Sequence, residues 1–324
     1  MVDRRTVIKG AAALGGLGLF NGARSSVFTA VCTDDAAGNE RILVVLKLSG
    51  GNDGLNSIVP YGDDAYYRLR PGIGIRPGEL LKLDEYWGMN PGMRGFARLW
   101  DAGQLAIVHG CGYERPSYSH ATAANFWREA LPVSRQDDSW SNGFASEITR
   151  DGAVRYPSAI DYGIAQFRQV AASVAAGLSR RIFHIEFGNN AFDTHVRQPE
   201  LHRTLLSQAG NAMRTFLLDM ERIRQAERVV VLVYSEFGRS APENGSLGTD
   251  HGTANVMFLA GKGVRGGHYG RAPKLDELDA SDNLVYTTDF RRVYATAFDG
   301  WLNLGVDAKD FALTGYFEPF PVFG

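Results

Sequence analysis

The stretch RVVVLVYSEFG, residues 228–238, joins an uninterrupted apolar run to a polar end. The run contains no alternating polar residues, which is typical of a strand covered on both faces, as in a parallel sheet. Ser235 and Glu236 follow it directly, before a glycine that favours a turn. The stretch therefore predicts a buried strand whose carboxyl end carries polar side chains.

Four further segments have the same character and predict four more buried strands: RILVVLKLSG (41–50), LAIVHG (105–110), RIFHIEFG (181–188) and VMFLAG (256–261). Helical patterns lie between or after them, at 92–100, 120–131, 162–178, 200–223 and 290–304. Strands that alternate with helices predict an α/β fold with a mostly parallel central sheet and helices on both faces. We expect a single domain over residues 41–324.

The first thirty residues are interpreted as an export signal. Arg4 and Arg5 precede a short Gly/Ala-rich apolar run at 11–20, which resembles a twin-arginine signal peptide. The alternative, an amphipathic first helix, is disfavoured because the run has no polar face and is rich in glycine. We therefore expect a periplasmic or extracellular protein whose partners include the twin-arginine export machinery.

Bulk composition excludes several classes of protein. No apolar run approaches the roughly 20 residues of a membrane-spanning helix, so no stable membrane span is expected in the mature protein. The net charge of −2 argues neither for nor against a nucleic-acid partner, but no basic stripe that would follow a phosphate backbone is present, so none is expected. The two cysteines, Cys32 and Cys111, form no Cys-x-x-Cys motif, so a thiolate zinc site is not expected.

Polar side chains cluster after the predicted strands. In open parallel sheets, ligand sites lie outside the carboxyl ends of the strands, so five polar turns are expected to meet at one edge. The residues at these turns are Asp53; Ser119 and His120; Asp193 and His195; Ser235, Glu236 and Arg239; and Asp250 and His251.

The acids and histidines of these turns suit a divalent metal. Oxygen and nitrogen ligands without thiolates are typical of zinc, manganese or iron, and of calcium or magnesium where histidines are few. The set is large enough for one or two ions, and two ions can hold the attacking and leaving oxygens of a phosphoryl or sulfuryl transfer. The predicted metal ligands are Asp53, Asp193, His195, Glu236, Asp250 and His251.

Three residues each have a functional and a structural interpretation. Ser119 either caps the helix that follows it or acts as a nucleophile at the helix amino terminus. His120 is a metal ligand or acid–base group, or else a packed residue of the first helical turn. Arg239 either clamps a tetrahedral oxyanion or pairs with Glu243 on the surface.

The motifs SGGNDGLN, PSYSH, FDTH, YSEFGR and GTDHGTA occur in an order that resembles the bacterial family called domain of unknown function fifteen-oh-one. RAPKLDEL and TTDFRRVYATAFDGWL also resemble its carboxyl-terminal part. The family is similar to the alkaline phosphatase superfamily, which includes sulfatases. The resemblance implies a three-layer α/β sandwich, one or two divalent ions and an anionic ester substrate. It also implies that Ser119 is the nucleophile and that Asp53 is the first metal-binding acid.

Two departures from the resemblance bear on activity. Cys111 is followed by Gly-Tyr-Glu-Arg-Pro, so the formylglycine motif of typical sulfatases is absent. The segment near 132–160 is shorter than is usual in the family. The sequence thus predicts an exported, metal-dependent hydrolase of phosphate or sulfate esters. The alternative is a non-catalytic, metal- or ligand-binding relative of the same fold. A metal-free serine hydrolase is disfavoured because no Gly-x-Ser-x-Gly motif is present.

Overall fold

The computed structural model describes residues 41–130, 163–177, 181–303, 313 and 315–324. The predicted export signal, Cys32 and the shortened segment near 132–160 lie outside the described residues, so these remain predictions. Among the described residues, no helix combines the length and the apolar character that crossing a membrane requires.

The central sheet has seven strands and contains all five predicted ones. Its order is β11-β5-β10-β7-β1-β6, and the short β12 pairs with β5. The strands are β1 (Ile42–Leu48), β5 (Leu105–Gly112), β6 (Ile182–Phe187), β7 (Val229–Tyr234), β10 (Asn255–Ala260), β11 (Gly267–Tyr269) and β12 (Thr288–Asp289).

The sheet is mostly parallel, as predicted. β1 pairs in parallel with both β6 and β7, and β11 and β12 pair in parallel with β5. The exception is β10, which runs antiparallel to both β5 and β7. The amino end of β10 therefore lies at the edge where its neighbours have their carboxyl ends, and this reversal brings the turn before it to that edge.

Helices lie on both faces of the sheet. Successive residues of β1 point to opposite faces, so Val44 and Leu46 belong to one hydrophobic core while Leu43 and Val45 belong to the other. The first core is completed by α2, α4 and α5, and the second by α3 and α6. The helices are α1 (Asp64–Leu69), α2 (Arg94–Asp101), α3 (His120–Glu129), α4 (Ile164–Ala175), α5 (Gln198–Arg222) and α6 (Phe290–Ala295).

The last predicted helix, 290–304, differs from the observed one. After α6 the chain continues as a π-helical turn, Thr296–Trp301. The Thr296 hydroxyl donates a hydrogen bond to the Arg292 carbonyl oxygen at 2.7 Å. Such back-bonding competes with the regular helical ladder and accompanies local departures from it.

Two small antiparallel sheets flank the central sheet. The first pairs β2 (Ile58–Pro60) and β3 (Leu81–Lys82) with β4 (Trp87–Met89). The second pairs β8 (Gly238–Arg239) with β9 (His251–Gly252), which places Arg239 opposite His251. The β8–β9 pair thus joins the turn after β7 to the turn before β10.

Candidate metal centre

Five turns meet at one edge of the central sheet. Glu236, after β7, accepts a hydrogen bond from the backbone N–H of Gly50, after β1, at 2.8 Å. Asp193, after β6, lies 2.7 Å from the Arg239 guanidinium and 3.0 Å from His251 Nε2. The structure therefore brings together the turns that the strand-end rule predicts to meet.

Two glycines allow the turns to approach so closely. Gly50 has a φ of +119°, and a Cβ atom there would lie 2.5 Å from the backbone nitrogen of Asp193. At Gly248, a Cβ atom would lie 2.2 Å from the carbonyl group of His195. A side chain at either position would push the turns apart, which explains the glycines beside both acidic motifs.

Three histidines surround the Asp193 carboxylate. The Nε2 atoms of His195 and His251 each lie 3.0 Å from Asp193 Oδ1, and His120 Nε2 lies 3.3 Å from Oδ2. His120 begins α3, His195 precedes α5, and His251 lies on β9. Three separate elements thus aim the same ring nitrogen at one acid.

The other ring nitrogen of each histidine faces an oxygen acceptor. The Nδ1 contacts are His120 to Glu236 at 3.0 Å, His195 to Asp250 at 3.1 Å, and His251 to the Tyr118 carbonyl oxygen at 2.8 Å. Histidines that bind metals are oriented in this way by a carboxylate or a carbonyl group.

The arrangement fits a cation between the rings and the carboxylate. A neutral imidazole carries one proton, and acceptors at Nδ1 favour placing it there. For His120 and His251, Nε2 would then present a lone pair toward Asp193, and a lone pair that faces a carboxylate is repelled unless a proton or a metal ion separates them. The Nε2 atom of His195 also lies 3.4 Å from Arg239 Nη1, which can donate to it. His120 Nε2 is also buried without a hydrogen-bond partner among the described residues.

The candidate ligand atoms lie close enough together to bind one ion. Atoms of His120, Asp193 and His251 all lie within 4.8 Å of one another. His195 reaches the same carboxylate from a third side. Three imidazole nitrogens and one carboxylate oxygen form a donor set that suits zinc and other first-row metals.

Electrostatics keep the central acid ionised. Burial raises the pKa of Asp193, but the hydrogen bond and the positive charge of Arg239 act against burial, and the pKa is lowered to about 2. The hydrogen bond to Glu236 raises the pKa of His120. Burial raises the pKa of Glu236, but the hydrogen bond to His120 and the positive charge of Lys47 outweigh burial. The pKa of Glu236 is therefore below its usual value.

Glu236 and Asp250, two of the predicted metal ligands, contact histidine rings in the structure. Each lies behind a histidine, on its Nδ1, rather than beside the Nε2 atoms. Asp250 contacts the ring of His195 rather than that of its neighbour in the chain, His251. The hydrogen bond from Asn244 lowers the pKa of Asp250 and fixes the carboxylate that meets this ring.

Asp53 lies apart from this cluster. It is 1% exposed, and its Oδ2 accepts hydrogen bonds from Arg70 at 2.6 Å and from Gln198 at 2.5 Å. Its Oδ1 accepts from the backbone N–H groups of Leu55 and Asn56. All of these donors are protein groups, so the structure assigns this carboxylate to an internal ion pair.

Arg239 is buried beneath the cluster. Its guanidinium donates to the carbonyl oxygens of Gly51, Phe192 and Thr249 and to the Asp193 carboxylate. It does not form the surface pair with Glu243, which instead accepts hydrogen bonds from backbone N–H groups near residue 72. Arg239 therefore links the turns after β1 and β6 with the turn before β10 through hydrogen bonds.

Ser119 occupies the N-cap position of α3, as one interpretation required. Its hydroxyl nevertheless makes no capping hydrogen bond, and its side chain is exposed. Its backbone N–H donates to the Ser117 hydroxyl at 3.2 Å. The Ser119 hydroxyl is thus not committed to the helix, and it directly precedes a member of the histidine cluster.

The sequence interpretation missed a buried polar layer below the turns. His202, on α5, is 1% exposed and contacts Asn52 Oδ1 at 2.9 Å. Gln198, four residues earlier on α5, bonds Asp53. The spacing of four residues places both side chains on one face of α5, and this feature of the sequence could have predicted the buried layer.

A comparison with family models identifies the family. Residues 127–302 match the model described as Protein of unknown function (DUF1501). The chain belongs to this family, as its motifs predicted. The matched region contains Asp193, His195, Glu236, Arg239, Asp250 and His251.

Two solved structures have low similarity to the chain. One is the carboxyl-terminal periplasmic domain of EptC from Escherichia coli in complex with zinc, at 11% identity and a TM-score of 0.39, covering 71% of this chain and 75% of that one. The other is the lipoteichoic acid synthase LtaP from Listeria monocytogenes, at 9% identity and a TM-score of 0.37, covering 76% and 72%. A search of curated proteins gave no match.

Proposed function

We propose that this protein is a metal-dependent hydrolase of phosphate or sulfate esters with an alkaline-phosphatase-like fold. The observation that carries the proposal is the convergence of three histidine Nε2 atoms on Asp193 while each Nδ1 is held by an oxygen. His120, His195, His251 and Asp193 would hold the ion. A divalent ion bound there would act as a Lewis acid toward an ester oxygen.

The proposal favours one ion over two. Three of the acids available for a second ion, Asp53, Glu236 and Asp250, are engaged by other groups of the protein. With three nitrogen ligands, zinc and manganese fit better than calcium or magnesium, which prefer all-oxygen sites.

We assign supporting roles to the remaining residues. Arg239 holds the carbonyl groups of the turns and the Asp193 carboxylate, and so fixes the position of the cluster. Ser119 is the candidate nucleophile, since its hydroxyl caps nothing and it begins the turn that carries His120. Export through the twin-arginine route remains part of the proposal, on the strength of Arg4 and Arg5.

The test is metal-dependent turnover. The purified protein would be stripped with a chelator, reloaded with zinc, manganese, calcium or magnesium, and assayed with 4-nitrophenyl phosphate, bis(4-nitrophenyl) phosphate and 4-nitrophenyl sulfate. We expect about one equivalent of zinc or manganese per chain, and hydrolysis of at least one ester that the chelator abolishes.

Two histidine variants supply the comparison. His251→Ala should lose both metal and turnover, while His268→Ala, which removes a histidine stacked on His109 away from the cluster, should keep both. Stoichiometric metal without hydrolysis of any ester would overturn the hydrolase proposal in favour of a metal-binding relative. A folded protein that binds no metal would overturn the site assignment itself.

A further inference from the structure

A pocket of about 420 Å³ is lined by residues of the central sheet and of the small sheet formed by β2, β3 and β4. Tyr86 and Trp87 supply two aromatic rings on one side, and Ile58 lies beside them. His109 of β5 and Val256 of β10 contribute the part that belongs to the central sheet. None of the four proposed metal ligands lines this pocket, so it is a site separate from the histidine cluster.

A β-bulge interrupts the central sheet at this pocket. The pairing of β5 with β10 shifts by one residue between Asn255 and Met257, so His109 and Gly110 of β5 lie opposite Val256 alone. Gly110 has a φ of +65°, which a glycine adopts without strain. Both residues of the bulge and Val256 line the pocket. Bulges of this kind re-aim a side chain, and here the side chain is that of His109.

One ring nitrogen of His109 is available to a ligand. The residue is 4% exposed, and its Nε2 lies 2.8 Å from Nδ1 of His268 on β11. The two nitrogens of an imidazole point to nearly opposite sides of the ring, so Nδ1 faces away from β11 and toward β10, where Val256 lines the pocket. Nδ1 makes no hydrogen bond within the described residues, yet it is not among the unpartnered atoms that are closed to solvent.

The partners of the ring make this nitrogen an acceptor. Asp84 Oδ1 accepts hydrogen bonds from the backbone N–H groups of Tyr86 and Trp87, and Asp84 Oδ2 lies 3.5 Å from His268 Nε2. The carboxylate favours a proton on that nitrogen, so His268 Nδ1 accepts the hydrogen bond from His109 Nε2. His109 Nδ1 then keeps its lone pair. Burial lowers the pKa of His109 to about 3, so the ring is neutral at physiological pH.

The rest of the lining offers apolar surface and no charge. It contains no Asp, Glu, Lys or Arg among the described residues. The Asn255 amide donates to two backbone carbonyl groups and accepts from a backbone N–H, and the Tyr86 hydroxyl lies 3.3 Å from Asp63 Oδ2. A charged ligand would lose its hydration here without gaining a partner. An aromatic ring would instead pack against the rings of Tyr86 and Trp87.

We infer that this pocket binds an uncharged phenol, a single aromatic ring whose hydroxyl donates a hydrogen bond to His109 Nδ1. The hydroxyl supplies the donor that this nitrogen lacks, and the ring fills the space beside Tyr86 and Trp87. The inference goes beyond the proposed function and does not depend on it, because the pocket and the histidine cluster share no residue.

The test compares ligands of nearly equal size that differ in one donor. 4-Methylphenol and 4-fluorotoluene would be titrated into the protein and followed through the indole N–H signal of Trp87 by NMR, assigned by its loss in Trp87→Phe. We expect the phenol to bind about fivefold more tightly, which is typical of one net hydrogen bond. 4-Methylbenzoate should not bind, because its charge would be buried without a partner. Equal or tighter binding of 4-fluorotoluene would overturn the inference.

Two variants of β11 identify the source of the preference. His268→Phe keeps a ring beside Trp100 but removes the acceptor that holds the proton on His109 Nε2, so the preference for the phenol should fall to about twofold or less. Tyr269→Phe, at the next position, removes a hydroxyl that donates to the Arg265 carbonyl oxygen outside the pocket, and should leave the preference unchanged. An unchanged preference in folded His268→Phe would contradict the proposed role of His109.

Repeating the titration with and without metal separates this inference from the proposed function. The preference for 4-methylphenol should be the same in chelator-treated and zinc-loaded protein, and in His251→Ala. Phenol binding that requires zinc, or that disappears in His251→Ala, would place the ligand at the histidine cluster and overturn the pocket assignment. Selective phenol binding by a protein that holds no metal and hydrolyses no ester would overturn the proposed function alone.

Discussion

Asp53 and Asp193 both follow central strands at the same edge of the sheet, yet they occupy opposite environments. Asp53 is 1% exposed and contacts only protein donors, among them Arg70 and Gln198. The Asp193 side chain is 32% exposed and faces three histidine Nε2 atoms. One carboxylate is saturated by the protein, and the other is surrounded by potential ligands.

The difference teaches that the partners of an acid, rather than its position, define a metal site. Arginine and amide groups can only donate to a carboxylate, so they fill its lone pairs permanently. Histidine can donate or coordinate, depending on which ring nitrogen carries the proton. The acceptors behind His120, His195 and His251 favour the coordinating form at Asp193.

The largest expected effect is on metal binding at Asp193. Asp193→Asn should reduce metal affinity by more than about 100-fold, since even the loss of a group that only orients a ligand costs about 10- to 100-fold. Metal content would be measured by mass spectrometry after dialysis against buffered zinc. Retention of a full equivalent by the variant would show that Asp193 is not a ligand.

The corresponding change at Asp53 should act on stability instead. Asp53→Asn leaves the buried Arg70 charge without its partner, so the free energy of unfolding should fall by about 3 kcal/mol. Urea unfolding followed by circular dichroism would measure the loss. The metal content of the folded fraction should be unchanged. Loss of metal from the folded variant would show that Asp53 is a metal ligand.

The carboxylates behind the histidines should have an intermediate effect. Glu236→Gln and Asp250→Asn each weaken the orientation of one ring, and should lower metal affinity about 10-fold or more without abolishing binding. Competition with a chromophoric chelator would measure the affinity. Complete loss of metal in Asp250→Asn would mean that this exposed acid coordinates directly.

The stability contributed by Asp53 should depend on pH. Burial raises its pKa, but the Arg70 charge and hydrogen bonds outweigh burial and hold the pKa below the ordinary 3.8. The contribution is therefore complete above about pH 4 and is lost as the pH falls through the lower folded-state value. The difference in unfolding free energy between wild type and Asp53→Asn, measured from pH 7 to pH 3, should shrink only in the acidic range. A difference that grows toward acid would contradict the ion pair.

The smallest expected effect on stability is at Ser119. Because its hydroxyl makes no capping bond, Ser119→Ala should change the unfolding free energy by less than about 0.5 kcal/mol. The same variant should lose ester hydrolysis if Ser119 is the nucleophile. A loss of about 1 kcal/mol or more, as expected for a true N-cap, would indicate the structural role instead.

The sequence was sufficient to predict the central sheet and to predict that polar turns meet at one of its edges. Apolar runs predicted the five long strands, and those buried on both faces show little alternation. The terminal strand β6 differs, because His184 and Glu186 alternate with its apolar residues and are exposed. The strand-end rule brought Asp193, His195 and His251 together correctly. The reversed direction of β10 could not be predicted, because its apolar run reads the same in either orientation.

The individual partnerships within the site depend on tertiary contacts with no periodic signature. Arg70 lies in an irregular segment after α1, and nothing in its local sequence indicates that it neutralises Asp53. Asp250 precedes His251 in the chain but contacts His195, because adjacent residues on the β9 side of the turn point in different directions. Residue types therefore predicted which acids and histidines gather at the edge, but not the partner of each acid.

The strand order also has a consequence for biosynthesis. β1 is the first strand within the described residues and lies between β6 and β7, which are translated much later. Until Phe187 has been synthesised, both edges of β1 lack their partner strands, and the edge that pairs with β7 lacks its partner until Tyr234 has been synthesised. The nascent chain must therefore carry an aggregation-prone segment through most of its synthesis, and any fragment that ends before Val229 keeps one bare edge permanently.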